Sequence, residues 1–318
     1  MKLLRLAPEN TKFGFMRFRR VSYPLSAFLS IVSVLLFVFV GMNFGIDFSG
    51  GTQVELRAKS GPADIAALRA KGETLGLGAV EVQRSGAETD AVMRLGLQAG
   101  GESAQQSAVG KLRDAFSDSY EFRSVDAVGP RVSGELVQKG TLGIVVSILA
   151  VLTYLWFRFE WQFAIGAIIG TMHDLLLTVG FFCVTQLEFN TTSIAAILTI
   201  VGYSLNETVV VLDRIREVMR KYKRLSTAEI VDMSVNAVLP RTIMTATTVF
   251  LALLALFFLG GHVIRSFSAA MIWGIFVATY SSVFICSPIL IYLGVRADTF
   301  DRESADDPSG TVTSKARV

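Results

Sequence analysis

Three polar groupings stand in stretches that otherwise read as lipid-soluble, and each carries a chemistry that an inert span does not need. Glu207, with Ser204 and Asn206, continues an apolar run that begins near Ser193. His173 and Asp174 are adjacent inside the run Trp161 to Val184, and Arg241 follows Pro240 where a further run begins. An ionisable side chain within a membrane span costs about 3 kcal/mol on insertion scales, so such groups face a bundle interior and mark a pathway or a relay. Asp174 lies near the middle of its run, where loss of water disfavours a charged carboxyl and suits it to take up and release a proton. Glu207 and Arg241 both lie toward one end of their runs, which admits a switchable Glu207 to Arg241 pairing.

Plainer roles compete with these. Asp174 can be a neutral hydrogen-bonding group between helices, and Arg241 can extend its guanidinium to the headgroups. Asp213 and Arg216 have the i,i+3 spacing of an ordinary ion pair on a helix surface. A nucleophilic role for Ser204 is the weaker class, because Gly202-Tyr203-Ser204-Leu205-Asn206 lacks the second glycine of a nucleophile elbow and the chain has only two histidines, His173 and His262. With no second His or Cys at ligand spacing, His173 is not expected to hold a metal. The chain carries no Walker-type glycine loop and no cofactor fingerprint, so neither a nucleotide nor an organic cofactor is expected.

Composition supplies the setting. The chain has 318 residues, 52% hydrophobic and 18% charged, with a mean hydropathy of +0.51, which places it among integral membrane proteins. A net charge of +3 gives no reason to expect a nucleic-acid partner. Cys183 and Cys286 both lie in apolar runs and read as packing residues. Residues 1–20 carry Lys2, Arg5, Lys12, Arg17, Arg19 and Arg20 against Glu9 alone, and 21–42 is long enough to cross a bilayer. The amino terminus is therefore expected in the cytoplasm, with the first span retained rather than cleaved as a signal peptide.

Residues 43–134 are polar and glycine-rich, and are expected to form one extracytoplasmic domain. Strand patterns over 52–58, 79–84, 91–97 and 120–128 and helical spacing over 62–75 and 102–116 give the order βαββαβ of a ferredoxin-like fold, an arrangement that fixes no function by itself. Five more spans are expected over 136–157, 161–184, 189–212, 242–259 and 267–293. Alternation then puts the hairpin at Arg158-Phe159-Glu160, a loop over 214–240 and the tail from 296 in the cytoplasm. Arg214, Arg216, Arg220, Lys221, Lys223 and Arg224 agree with that side. Within the loop, Ser226-Thr227-Ala228-Glu229 has the form of a capping box, so 225–239 is expected to lie along the membrane face, with Pro240 opening the fifth span. The tail, 296–318, is short and mixed in charge and reads as disordered.

Two further strings complete a recognisable set. Phe44-Gly45-Ile46-Asp47-Phe48-Ser49-Gly50-Gly51 follows the first span, and Val128-Gly129-Pro130-Arg131-Val132-Ser133-Gly134-Glu135-Leu136 precedes the second. With Gly202 to Arg216, which includes Asp213 and Arg214, they closely resemble the SecF family of protein-export membrane subunits, in order and over nearly the whole chain. The resemblance implies a six-helix core like that of resistance-nodulation-division transporters, pairing with SecD in the bacterial inner membrane beside the SecYEG translocon, and a translocating preprotein as client. It implies that the proton gradient, or sodium in some members, drives movements of the extracytoplasmic domains that promote late steps of export. Glu207, Arg241, His173 and Asp174 align with the family's ion-coupling positions, and Asn206 beside Glu207 is a further ion-coupling candidate, although the family commonly holds Asp where this chain has Glu207. Gly45, Gly50 and Gly51 fit tight turns at the membrane edge, where a hinge can form. A proton-driven exporter of small molecules or lipids is the rival reading; a single modest outer domain and only six spans weigh against it.

Overall fold

The computed structural model describes residues 11–295. Lys2, Arg5 and Glu9 of the basic amino-terminal stretch, and the tail read as disordered, lie outside the described residues. A 3₁₀ turn, Phe15–Phe18, leads into α1 (Arg19–Phe39), and a short α2 (Ile46–Ser49) follows. The domain expected on the far side of the membrane, called the outer domain, comprises β1 (Gly51–Ala58), α3 (Ile65–Thr74), β2 (Val80–Arg84), β3 (Asp90–Leu95), α4 (Gly101–Phe116) and β4 (Tyr120–Val128). Then come α5 (Pro130–Arg158), α6 (Trp161–Thr185), α7 (Thr191–Lys221), α8 (Thr227–Leu259) and α9 (Gly261–Ser281). A π-helical turn, Ser282–Cys286, joins α9 to α10 (Ser287–Tyr292).

The sheet has the order β2-β3-β1-β4 with every neighbouring pair antiparallel, which is the split-βαβ arrangement expected from the pattern. Alternation sends Val54 and Leu56 of β1 and Met93 and Leu95 of β3 to one face. They bury against Leu68 of α3 and Leu112 and Phe116 of α4. Gly51 begins β1 at φ 124°, and a Cβ there would lie 2.2 Å from the Leu95 carbonyl oxygen. Gly50, at φ 71°, makes the turn before it.

Among the described residues six helical segments are long and apolar enough to span a bilayer. Burial sorts them into two layers. The most apolar window of Ile264–Tyr292 is 72% buried and that of Trp161–Thr185 56%, against 6% for Pro130–Arg158 and 11% for Thr227–Leu259. The segment from α9 to α10, with α6 and α7, forms the interior; α1, α5 and α8 flank it. Glycines let the inner helices approach closely. A Cβ on Gly170 of α6 would lie 2.1 Å from Cys286 Sγ, and one on Gly274 of α9 would lie 2.4 Å from Ile200 of α7.

The connection between α7 and α8 differs from the expectation. α7 runs on to Lys221, so Arg214, Arg216 and Arg220 are helical, and α8 is continuous from Thr227 to Leu259 with Pro240 inside it. No separate surface helix precedes a new span. Ser226 and Glu229 do form the capping box. Past it, Ile230, Val231 and Val235 bury against Ile215, Val218 and Met219 of α7. That apolar seam holds the helix through Pro240, whose missing N–H removes one hydrogen bond.

Candidate functional site

The polar groups in the bundle gather on two carboxylates. α6 and α7 meet closely enough for Asp174, 1% exposed, to accept through Oδ2 from Ser204 Oγ at 2.5 Å and from Ser281 Oγ at 2.8 Å. His173 Nδ1 lies 3.0 Å from its other oxygen. Three helices thus converge on one carboxylate, and none of these three neighbours is an arginine or lysine. His173 Nε2 is buried without a hydrogen-bond partner. Two of the three partners are hydroxyls, whose dipoles can reorient about the carboxylate.

Glu207 is buried and belongs to the neighbouring interface. Thr242 Oγ1 of α8 donates to its Oε2 at 2.9 Å, and Thr245 Oγ1 lies 3.2 Å from Oε1. Ser204, Glu207 and Thr208 share one face of α7 because residues three and four apart stack along a helix. Asn206 falls on the opposite side and is exposed. Arg241 is exposed as well, and the switchable ion pair with Glu207 is not formed in this structure. Thr242, the next residue, turns inward to take that place. The hydroxyls of Tyr203 and Thr279 are buried as well.

Several of these residues escape sequence reasoning. Ser281 carried a signal, since Tyr280-Ser281-Ser282 is a polar triplet inside an apolar run. It also sits where the helix passes into the π turn, a departure from α geometry often found at functional sites. Thr242 carried none, because a threonine after an arginine near a span's end has no distinguishing pattern.

The other motif residues act at the two ends of the bundle. Asp47 Oδ2 accepts from the backbone N of Thr191 at 2.8 Å and from its hydroxyl at 2.6 Å, fastening the segment after α1 to the first turn of α7. Asn190 and Ser193 complete that end with a capping box. Gly45 N donates to Phe189 O at 2.9 Å. Gly129 precedes α5 and Pro130 occupies its first turn, where a missing N–H costs nothing. Gly202 is exposed on α7 and has open space around it. At the opposite end Asp213 pairs with Arg158 of α5 at 2.7 Å, and Arg216 pairs with Glu160. The expected Asp213 to Arg216 pair is therefore replaced by two bridges between α7 and the α5–α6 hairpin, because packing brings Arg158 and Glu160 alongside. Arg214 pairs with Glu217 at 2.6 Å on the same helix.

Comparison with known proteins supplies the family. Residues 108–296 match the family "Protein export membrane protein SecD/SecF, C-terminal", and 35–61 match the SecD/SecF GG motif. SecF of Rickettsia akari is 43% identical over 92% of this chain and 96% of its own length. SecDF of Brucella abortus is 41% identical over 96% of this chain, which spans 40% of that longer protein. The crystal structure of SecDF from Thermus thermophilus, described as translocon-associated, superposes with a TM-score of 0.81 at 32% identity, over 90% of this chain and 39% of that one. Two separate family matches, and a relative matched over nearly its whole length, leave one conclusion: the chain is a multi-pass membrane protein of the SecD/SecF protein-export family, and its role lies in protein export.

Proposed function

We propose that the chain pairs with a SecD-type subunit in the bacterial inner membrane, both termini cytoplasmic, and draws on the proton-motive force to promote late steps of preprotein export beside the SecYEG translocon. The observation that carries this reading is Asp174. It is a carboxylate buried in an interior helix and held by Ser204, Ser281 and His173, so proton uptake there would reverse at least one hydroxyl and alter how α6, α7 and α9 are joined. Glu207 is the second titratable group of the path. The proton is favoured over sodium because an imidazole, a proton carrier, takes one side of the Asp174 carboxyl, whereas hard cations prefer oxygen ligands.

Pairing has its own support. Asn206 and Arg241 are exposed on helices that read as spans, and a polar group facing lipid is costly, so a partner subunit covering them relieves that cost. The arginines at the end of α7 favour the cytoplasm for that end. We read the chain as a non-enzymatic subunit, since Ser204 is fully buried and its hydroxyl is committed to Asp174. The experiment is export of a secreted reporter from cells whose only copy carries Asp174→Asn or Glu207→Gln, with insertion and co-isolation of the SecD-type partner measured in parallel. Loss of the gradient-dependent part of export, with insertion and pairing intact, is expected for Asp174→Asn; normal export by both variants overturns the reading.

A further inference from the structure

A buried ion pair joins the outer domain to the membrane bundle. Arg94 of β3 and Glu188 of the loop before α7 form a salt bridge with side chains only 10% and 8% exposed. Arg94 commits all three guanidinium nitrogens. Nε donates to Gln53 of β1, its register partner, at 3.0 Å, Nη1 donates to Asn43 at 3.1 Å, and Nη2 donates to Glu188. Glu188 is held as closely from the other side. A Cβ on Gly45 would lie 2.4 Å from its Oε1, so the glycine gives the carboxylate its room, and its backbone carbonyl accepts from the capping Ser193 of α7 at 3.2 Å. One guanidinium therefore ties two strands, the exit of α1 and the entrance of α7 into a single unit.

Adhesion does not explain this choice of residues. Burying both charges is costly, and an apolar contact of similar size holds two surfaces as well or better. What a fork-shaped guanidinium adds is a fixed direction and register. Downstream, α7 is one uninterrupted helix from Thr191 through Ser204 and Glu207. At 1.5 Å of rise per residue, Ser204 lies roughly 20 Å along the helix from this joint. A stiff rod fixed at one end to the sheet and bonded at its middle to Asp174 moves both together.

We propose that Arg94 and Glu188 are positioning residues that transmit movement between the proton-linked carboxylates and the outer domain. This rests on the reading of Asp174 given above. Neither residue touches the transported ion; both act through α7.

The test uses the full chain co-expressed with its SecD-type partner. Reporter export is followed with the gradient intact and after its collapse, for Arg94→Gln, Arg94→Lys and the exchanged pair Arg94→Glu/Glu188→Arg. Spin labels at the exposed positions Gln83 on β2 and Thr199 on α7 report the distance between sheet and helix, with and without Asp174→Asn as a mimic of the protonated state. Arg94→Gln is expected to cut the gradient-stimulated part of export at least tenfold while insertion and pairing persist. Arg94→Lys is expected to fall between, and the exchanged pair to recover part of the loss. Asp174→Asn is expected to shift the label distance in the parent chain and not in Arg94→Gln. If it shifts the distance equally in both, the joint transmits nothing and this inference falls while the role of Asp174 stands. If Asp174→Asn leaves export and distance unchanged in the parent chain, the role of Asp174 falls, and the joint with it. Should Arg94→Gln fail to insert, Glu188→Asp, one methylene shorter, carries the same comparison.

Discussion

Removing the carboxylate of Asp47 should loosen the outer end of α7 by an amount that the geometry sets. Asp47 Oδ2 accepts two hydrogen bonds from Thr191, at 2.8 and 2.6 Å. It does so at the first turn of a 31-residue helix, where the free N–H groups and the helix dipole favour an anion. A hydrogen bond to a charged group contributes about 1.5–3 kcal/mol, and the dipole adds about 0.3–1 kcal/mol near a surface. Partial exposure of the site brings the expected loss for Asp47→Ala to about 2–3 kcal/mol. Asp47→Asn keeps one acceptor without the charge and should lose about 1 kcal/mol. Since 1.4 kcal/mol is tenfold, Asp47→Ala should raise the opening of the first turn of α7 by about 30- to 140-fold, and Asp47→Asn by about fivefold. Hydrogen exchange at the amides of Thr191, Thr192 and Ser193, measured by mass spectrometry on the protein in lipid nanodiscs, reads this directly. The midpoint of α7 around Ser204 should be unchanged, because the perturbation is confined to the end. Equal protection in all three proteins would show that Asn190 and Ser193 suffice to cap α7 and that Asp47 has another role.

Three further outcomes are expected. Asp174→Ala strips the acceptor from Ser204 and Ser281 and the hydrogen-bond partner from His173 at once, at about 1–3 kcal/mol for each buried group left unpaired. It should therefore fail to accumulate in the membrane where Asp174→Asn still inserts; equal membrane levels would mean those contacts carry little energy. Gly170→Ala would place a methyl 2.1 Å from Cys286 Sγ and should destabilise the bundle by about 1–3 kcal/mol through overpacking, seen as a lower thermal midpoint in detergent. Cys286→Ala in the same chain should restore most of the loss, and absence of rescue would place the strain elsewhere. In the outer domain, the Arg57 guanidinium, 2.7 Å away, holds the Asp90 carboxyl below the usual carboxylate range. A depressed carboxyl stabilises the fold above its unfolded pKa near 3.9, and that contribution disappears as pH falls through the lower folded value. Acid unfolding of the parent should accordingly be steeper below about pH 4 than that of Asp90→Asn, and superimposed acid limbs would contradict the sign.

Local pattern was enough for much of this protein. Apolar runs of bilayer length gave the six spans, because a helix crossing lipid must satisfy its own backbone and so writes its length into hydropathy. Alternation in β1 and β3 and the helical spacing of α3 and α4 gave the order of the outer domain, since one face of each element must turn to a common core. Asp174 and Glu207 stood out for the same physical reason, a charge where water is absent. Their partners did not stand out. Ser281 lies more than a hundred residues from Asp174 in the chain, and only the crossing of α6, α7 and α9 makes a hydroxyl on one helix the ligand of an acid on another. Likewise Asp213 chose Arg158 over Arg216, and Glu207 took Thr242 in place of Arg241, because packing decides which of several reachable partners lies at bonding distance. Pro240 read as a start, yet the seam of Ile230, Val231 and Val235 against α7 kept the helix whole. Arg94 and Glu188 show the same division most plainly. As single charges in a strand and a loop they carry no pattern, and only the seating of the sheet on the bundle turns them into a buried pair.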